Sequence, residues 1–231
     1  QISVSDLLLV NHDGKVVQGE KDVNIAAFAI HSRLHKARPG CAHYIDVHQL
    51  EAKGHHPSGP LRGYKSDTWE GGHRIPFIVR WPGVIAPDGV SNALIHQADL
   101  LATVAEIIEI DLKPHEGEDS FSLLSLLKGD TKDSPRSHSV SCSIRGVPSI
   151  RQGHWKLIPD AGSGGWSKGE VTTDLQLYRL DEDIGETENL APAFPGEIEQ
   201  IKEMFETLIN RGRSTPGPRQ KNDVEVKRYL N

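Results

Sequence analysis

Leu61-Arg62-Gly63-Tyr64-Lys65-Ser66-Asp67-Thr68-Trp69-Glu70-Gly71-Gly72-His73-Arg74-Ile75-Pro76, continuing as Phe77-Ile78-Val79-Arg80-Trp81-Pro82-Gly83, is the stretch on which the reading of this chain turns. Its first half is a loop that carries Arg62, Lys65 and Arg74 and a pair of adjacent glycines. Cations beside a backbone that can approach something closely suit the holding of an anion, and a solvated basic loop is the plainer alternative. Its second half, Ile75 to Trp81, is a nearly continuous apolar run. That run predicts a strand buried on both faces, as in a parallel sheet, with Pro76 at its start where no ladder hydrogen bond is lost.

Downstream, Pro82-Gly83 and Pro87-Asp88-Gly89 signal turns. Asp99 then reads as an N-cap for a core-facing helix over 100–110, with Leu100, Leu101, Val104, Ile107 and Ile108 at helical spacing. A short helix over 121–127 ends near Gly129. Residues 130–139 have the strongest linker composition in the chain and predict a boundary. Beyond them the pattern predicts an antiparallel sheet: strands over 140–144, over 149–151 paired with 154–158 across Gln152-Gly153, and over 175–180. Pro195 to Arg211 predicts a helix with Pro195 near N1, an apolar stripe from Ile198 to Ile209, and Gly212 just past its end; it should cover one face of that sheet. Upstream, 54–63 is a Gly-, Pro- and His-rich loop. Leu7 to Val10 and Val16-Val17 flank Asn11-His12-Asp13-Gly14 as a hairpin, and 24–34 suits a short helix.

With 231 residues there is room for one sizeable domain or two modest ones. The 26 Lys+Arg against 32 Asp+Glu leave a formal charge of −6, which argues against a general nucleic-acid or anionic-membrane binder. No apolar run approaches the roughly 20 residues of a membrane helix. Cys41 and Cys142 cannot build a disulfide framework or a four-thiolate zinc site, although an oxidising compartment would allow one bridge. The chain begins at Gln1 and its only methionine is Met204, so the sequence reads as a fragment, a processed product or a faulty gene model.

The run from Lys65 to Gly83 resembles sulfatases of the arylsulfatase type, in which Gly-x-Lys precedes a Glu-Gly-Gly-x-Arg-x-Pro signature. The likeness continues in order. Ser91 to Ile108 resembles the helix that follows in that family. Ile150-Arg151-Gln152-Gly153-His154-Trp155-Lys156-Leu157 resembles its C-terminal hairpin. Leu177-Tyr178-Arg179-Leu180 with Asp183 to Leu190 resembles its Leu-Tyr-x-Leu stretch and the Glu-x-x-Asn-Leu after it. Gly212 to Pro218 resembles the tail of bacterial sulfatases. Ordered matches over roughly 50 to 231 are more specific than any short motif.

What the resemblance implies is hydrolysis of a sulfate ester by a formylglycine made from Cys or Ser, with a calcium ion on oxygen ligands and cationic side chains around the sulfate. It places Lys65 at the family's sulfate-contacting lysine, with Arg62, His73 and Arg74 as further substrate-binding candidates. It also implies a sulfated small molecule or carbohydrate as partner, and a periplasmic or extracellular address. The chain departs from the pattern in two places. No Cys or Ser is followed by x-Pro-Ser-Arg, and the Asp-Asn-Gly metal turn expected upstream is replaced by Arg38-Pro39-Gly40, so calcium ligands are not found.

The smaller signals divide. His31 and His35, four apart on a helix, could share a metal, but surface histidines account for them better. Glu70 and Arg74 suit a structural ion pair, and His73 either faces the anion or packs beside Trp69. Trp166, on a glycine-rich loop, has few ways to be buried and is expected to contact substrate or another part of the protein. The expected architecture is α/β: an unassigned segment over 1–40, a remnant of an alkaline-phosphatase-like sulfatase domain over 41–132, and over 133–231 a small antiparallel sheet packed with a C-terminal helix. Alone, the chain is expected to be an inactive relative of sulfuric ester hydrolases; the alternative is a non-catalytic module that binds an anionic ligand or a partner subunit.

Overall fold

The computed structural model describes residues 51–168 and 173–227, together with the backbone of two short strands nearer the start. It divides into two compact units, Gln1–Pro57 and Ser58–Asn231. In the first unit β1 (Leu9–Val10) pairs antiparallel with β2 (Val16–Gln18), the pairing that the hairpin reading of 7–17 predicts. The turn between them, the helix expected over 24–34 and the residues His31, His35 and Cys41 lie outside the described residues.

The second unit is built on a four-stranded antiparallel sheet of sequential strands: β3 (His138–Cys142), β4 (Pro148–Gln152), β5 (Trp155–Ile158) and β6 (Gln176–Arg179). Register follows from alternation. Ile150 lies opposite Leu157, and Leu157 opposite Leu177, so one face of the sheet is aliphatic. The helix Pro195–Arg211 covers that face with Ile198, Ile201, Phe205 and Ile209, its proline at N1 and its end set by Gly212 at φ 63°, the left-handed stop that glycine tolerates. The edge strand β6 is closed by a loop. Asn189 Oδ1 accepts from Leu177 N at 2.9 Å, and Leu190 N donates to Leu177 O at 2.8 Å. The Asn-Leu pair of the motif therefore serves as a cover for β6.

The opposite face carries the intervening residues, Lys156 and Ile158 on β5 and Gln176 and Tyr178 on β6. Tyr178 and Ile158 pack with Trp69, Val147 and Leu180 in a second core. The decisive stretch around Lys65 therefore lies against this face, while the helix lies against the other.

Three short helices complete the unit: α1 (Glu70–His73), α2 (Leu100–Ile107) and α3 (Leu124–Lys128), followed by α4, the helix 195–211 already described. Asp99 does not cap α2 through its side chain. It closes a capping box with His96 in the turn before, accepts Phe121 N at 3.0 Å and pairs with the buried Arg136 guanidinium. That pair, and Ser134 Oγ donating to Leu94 O at 2.6 Å, tie the linker-like 130–139 segment to the helical layer. The buried Arg213 similarly holds the tail, donating to Pro114 O at 3.0 Å and Pro218 O at 3.1 Å.

Two further expectations are corrected. Ile75 to Trp81 is not a strand, and Ile78 is 89% exposed. Helix α2 does form, but Leu100, Leu101, Val104, Ile107 and Ile108 are exposed, leaving Thr103 and Ala105 as its buried residues. The physical reason is shared. A strand needs neighbours for its N–H and C=O groups, and an apolar stripe needs a layer to lie on; among the described residues neither is supplied at these positions.

Candidate functional site

Lys65 stands exposed at the apex of a turn that its neighbours immobilise. The buried Asp67 carboxylate does most of this. Its Oδ2 accepts from Tyr64 N at 2.8 Å, closing the turn, while Oδ1 accepts from Trp166 N at 3.1 Å and Ser167 N at 3.2 Å. Ser66, between the two, sits at φ 96°, a left-handed conformation that a side chain rarely adopts. Its carbonyl accepts from Ile144 N at 2.9 Å, and Thr68 N donates to Ser163 O at 2.8 Å. Both ends of the lysine turn are thereby stitched to the 143–147 and 160–168 loops.

Arg62 is held by the second core. Its guanidinium lies 3.9 Å from the centre of the Trp69 ring, and Nη1 donates to Tyr178 Oη at 3.0 Å and Glu186 O at 2.9 Å. Trp69 Nε1 and Tyr178 Oη both donate to Gln176 Oε1, at 2.9 and 2.8 Å, so the side-chain polar atoms of Trp69, Gln176 and Tyr178 are all paired.

Glu70, His73 and Arg74 enter a buried charge network. Lys156 Nζ lies 3.0 Å from Glu70 Oε1, 2.8 Å from Glu186 Oε1 and 3.1 Å from His73 Nε2. Arg74 Nη1 donates to Glu70 Oε2 at 3.1 Å, and Glu186 Oε2 accepts from the Glu70 backbone N at 2.6 Å. Two carboxylates and two cations balance, as buried charge requires. Burial pushes the Glu70 carboxyl up, but Lys156 and His73, with hydrogen bonds from Lys156 and Arg74, outweigh it and hold the group below the usual range. Burial prevails at Glu186, which is raised despite Lys156. His73 is held down to about 4 by burial and by the Lys156 ammonium, with Glu70 pulling the other way. Its ring is therefore neutral at neutral pH, with Nε2 also 3.1 Å from Thr68 O.

The paired glycines have an internal reason. A Cβ at Gly71 would come within 2.7 Å of Arg62 O, and one at Gly72 within 2.8 Å of the Asp67 carbonyl carbon. What approaches them closely is the chain's own 62–67 backbone.

Of the candidate residues, the structure leaves Lys65 exposed and ties Arg62, His73 and Arg74 to the Glu70, Lys156 and Glu186 cluster. Sequence reasoning missed Asp67, Lys156 and Gln176. The one available signal was a lysine between Trp155 and Leu157 in an otherwise apolar strand. Among the described residues no group of three His, Cys, Asp or Glu side chains is placed to hold a metal ion, and no helix is long and apolar enough to cross a membrane. Cys142 is a free, exposed thiol.

Residues 47–110 match the sulfatase family model. The unassigned start also finds a match: residues 1–56 fit the class II aldolase and adducin N-terminal domain, close to the extent of the first compact unit. The chain is 34% identical over 173 residues to the N-acetylgalactosamine-6-O-sulfatase of Bacteroides thetaiotaomicron, covering 73% of this chain and 34% of that protein. It is 34% identical over 170 residues to human arylsulfatase A, covering 65% of this chain and 32% of that one. It thus spans about a third of the length of each of these two relatives. A solved structure from B. thetaiotaomicron, described under the metabolism of multiple glycosaminoglycans, superposes with a TM-score of 0.62 at 34% identity, over 71% of this chain and 35% of that one. Another, solved with a neocarrahexaose, superposes at 0.52 with 18% identity over 64% of this chain and 32% of that one, a likeness of fold alone. With its Gly-x-Lys and Glu-Gly-Gly signature packed on a matching sheet and helix, the C-terminal portion of this chain matches the sulfatase family by family model, by sequence and by structure.

Proposed function

We propose that this portion serves sulfate-ester hydrolysis by presenting Lys65 to a sulfate oxygen, and that the chain alone does not turn over substrate. The observation that carries the reading is the clamped turn: an exposed lysine whose backbone is braced by a buried carboxylate, next to strained backbone at Ser66. A cation held in advance stabilises charge that shifts as the S–O bond breaks, without reorganising at that moment. Arg62, His73 and Arg74 set the frame behind the turn, and Arg74, half exposed, also faces incoming anions. In this reading 41–132 is the remnant of the catalytic domain and 133–231 its C-terminal domain. The substrate is a sulfated small molecule or carbohydrate met in the periplasm or outside the cell.

Calcium is the metal that the family implies, and the residues around Lys65 do not fit it. Asp67 is engaged by backbone N–H groups, and Glu70 and Glu186 by Lys156, so none is free to join an oxygen cradle. The nucleophile motif is likewise absent from the sequence.

The test is a sulfate-release assay of the purified chain with calcium and 6-sulfated N-acetylgalactosamine, alongside calorimetric binding of the same sugar. No release is expected, and measurable turnover refutes inactivity. Lys65→Ala should weaken binding roughly 10- to 100-fold, the size of a lost hydrogen bond to a charged group; unchanged affinity removes Lys65 from the site. A second reading, a non-catalytic module that docks on a partner subunit, is favoured by the exposed apolar band of residues 75–79 and α2.

A further inference from the structure

We propose that the cleft between the 143–147 turn and the 160–168 loop is a subsite for a second anionic group on an acidic saccharide, read at the same time as the sulfate on Lys65. The inference rests on the Lys65 reading and extends it to the substrate class. The cleft is about 300 Å³, and Arg145, Lys168 and Asp160 supply its charge. Among the described residues neither Arg145 nor Lys168 forms an ion pair, unlike Arg74 and Lys156. Two cations, one on each wall and neither in an ion pair among the described residues, favour an anion.

Asp160 makes the lining mixed. Its Oδ1 accepts from Gly162 N at 2.8 Å, and its carboxylate can accept from a hydroxyl while disfavouring a bare inorganic anion. Trp166, flanked by two lining residues, is 62% exposed and offers an apolar face to a sugar ring. The base of the cleft is kept small by design of contacts: a Cβ at Gly164 would come within 2.8 Å of Ser143 Oγ and Val147 Cβ.

The cleft is also fixed relative to Lys65. Trp166 N donates to Ser66 Oγ at 3.2 Å and to Asp67 Oδ1 at 3.1 Å, and Ile144 N donates to Ser66 O at 2.9 Å. Both walls thus bond directly to the residues that follow the lysine. A single rigid surface presents one cation for a sulfate and two more beside it, the pattern that a sugar carrying sulfate and a neighbouring carboxylate would fill.

The experiment compares two disaccharides by calorimetry on the full chain. In both, 6-sulfated N-acetylgalactosamine is linked to a second sugar, glucuronate in one and neutral glucose in the other. The wild type should prefer the glucuronate form about 10-fold, the gain expected from one charge-assisted contact. The Arg145→Ala/Lys168→Ala pair should erase that preference and keep binding of the glucose form. Arg219→Ala/Lys221→Ala, which removes the same charge from exposed positions, should keep the preference. Lys65→Ala should weaken both sugars alike. Equal affinities in the wild type, or a preference that survives loss of Arg145 and Lys168, overturns the subsite while the effect of Lys65→Ala still stands. Loss of the preference through Arg219 and Lys221 reduces it to net charge and overturns it too. If Lys65→Ala changes nothing, the sulfate reading fails instead, and absence of binding to either sugar at millimolar concentration defeats both.

Discussion

His73 is a histidine whose neutral form the fold requires. It lies between an ammonium 3.1 Å away and a backbone carbonyl at the same distance, and protonation would place a second positive charge against Lys156. An imidazole held down to about 4, against 6.5 in the unfolded chain, makes stability depend on pH with a definite sign. Above 6.5 the ring is neutral in both states and the contribution is complete. As pH falls from 6.5 to 4 the unfolded chain takes up the proton and the folded chain does not, so stability falls. Below 4 the loss is finished. The gap corresponds to about 3 kcal/mol, an upper figure since a quarter of the side chain is open to solvent. Glu70, held low, loses its contribution at still lower pH, whereas Glu186, held high, works in the opposite direction. Comparing wild type with His73→Gln isolates the histidine. Urea midpoints should converge as pH drops from 7 to 4, because the wild type alone loses this increment; parallel pH profiles would contradict the assignment.

At the scale of elements, the arrangement that matters is the docking of the 160–168 loop on the lysine turn, and it passes through a glycine. A Cβ at Gly165 would collide with the Asp67 carboxylate and come within 2.5 Å of Ser66 O, so Gly165→Ala must push the loop off the turn. The expected cost is about 1–3 kcal/mol from overpacking and loosened hydrogen bonds at Asp67. Affinity for a sulfated sugar should fall with it, because Lys65 loses its brace. Chemical denaturation and calorimetry on the same variant check both; loss of stability with unchanged affinity would show that the loop does not position the lysine. None of this docking was legible in the sequence. The helix 195–211, its glycine stop and the Gln152-Gly153 hairpin could be read because periodicity and turn chemistry are local. The brace joins Asp67 to residues 99 and 100 positions away, and Lys156 meets Glu70 across 86. Such contacts leave no periodic trace, only a charged residue in an apolar strand and glycines whose purpose is a neighbour distant in sequence.

For the whole Ser58–Asn231 unit, the reading that failed is as informative as those that held. Residues 75–79 and the stripe of α2 carry the hydrophobic pattern of interior elements, yet Ile75, Ile78, Leu101, Val104 and Ile108 are each more than half exposed. Pattern reports what a segment is suited to pack against, and the described residues do not include that surface. Apolar faces of this extent associate in water, so the purified chain should form concentration-dependent oligomers at micromolar levels and bind a hydrophobic dye in its native state. Ile78→Glu with Leu101→Glu should lower both signals. Since these side chains are 89% and 52% exposed, the substitutions should shift the urea midpoint little. Sedimentation velocity across a concentration series decides the matter. A wild type that stays monomeric and dark to the dye would show the band to be tolerated as free surface, and would leave the partner-docking reading without its support. Association that survives the two glutamates would move the contact to another face.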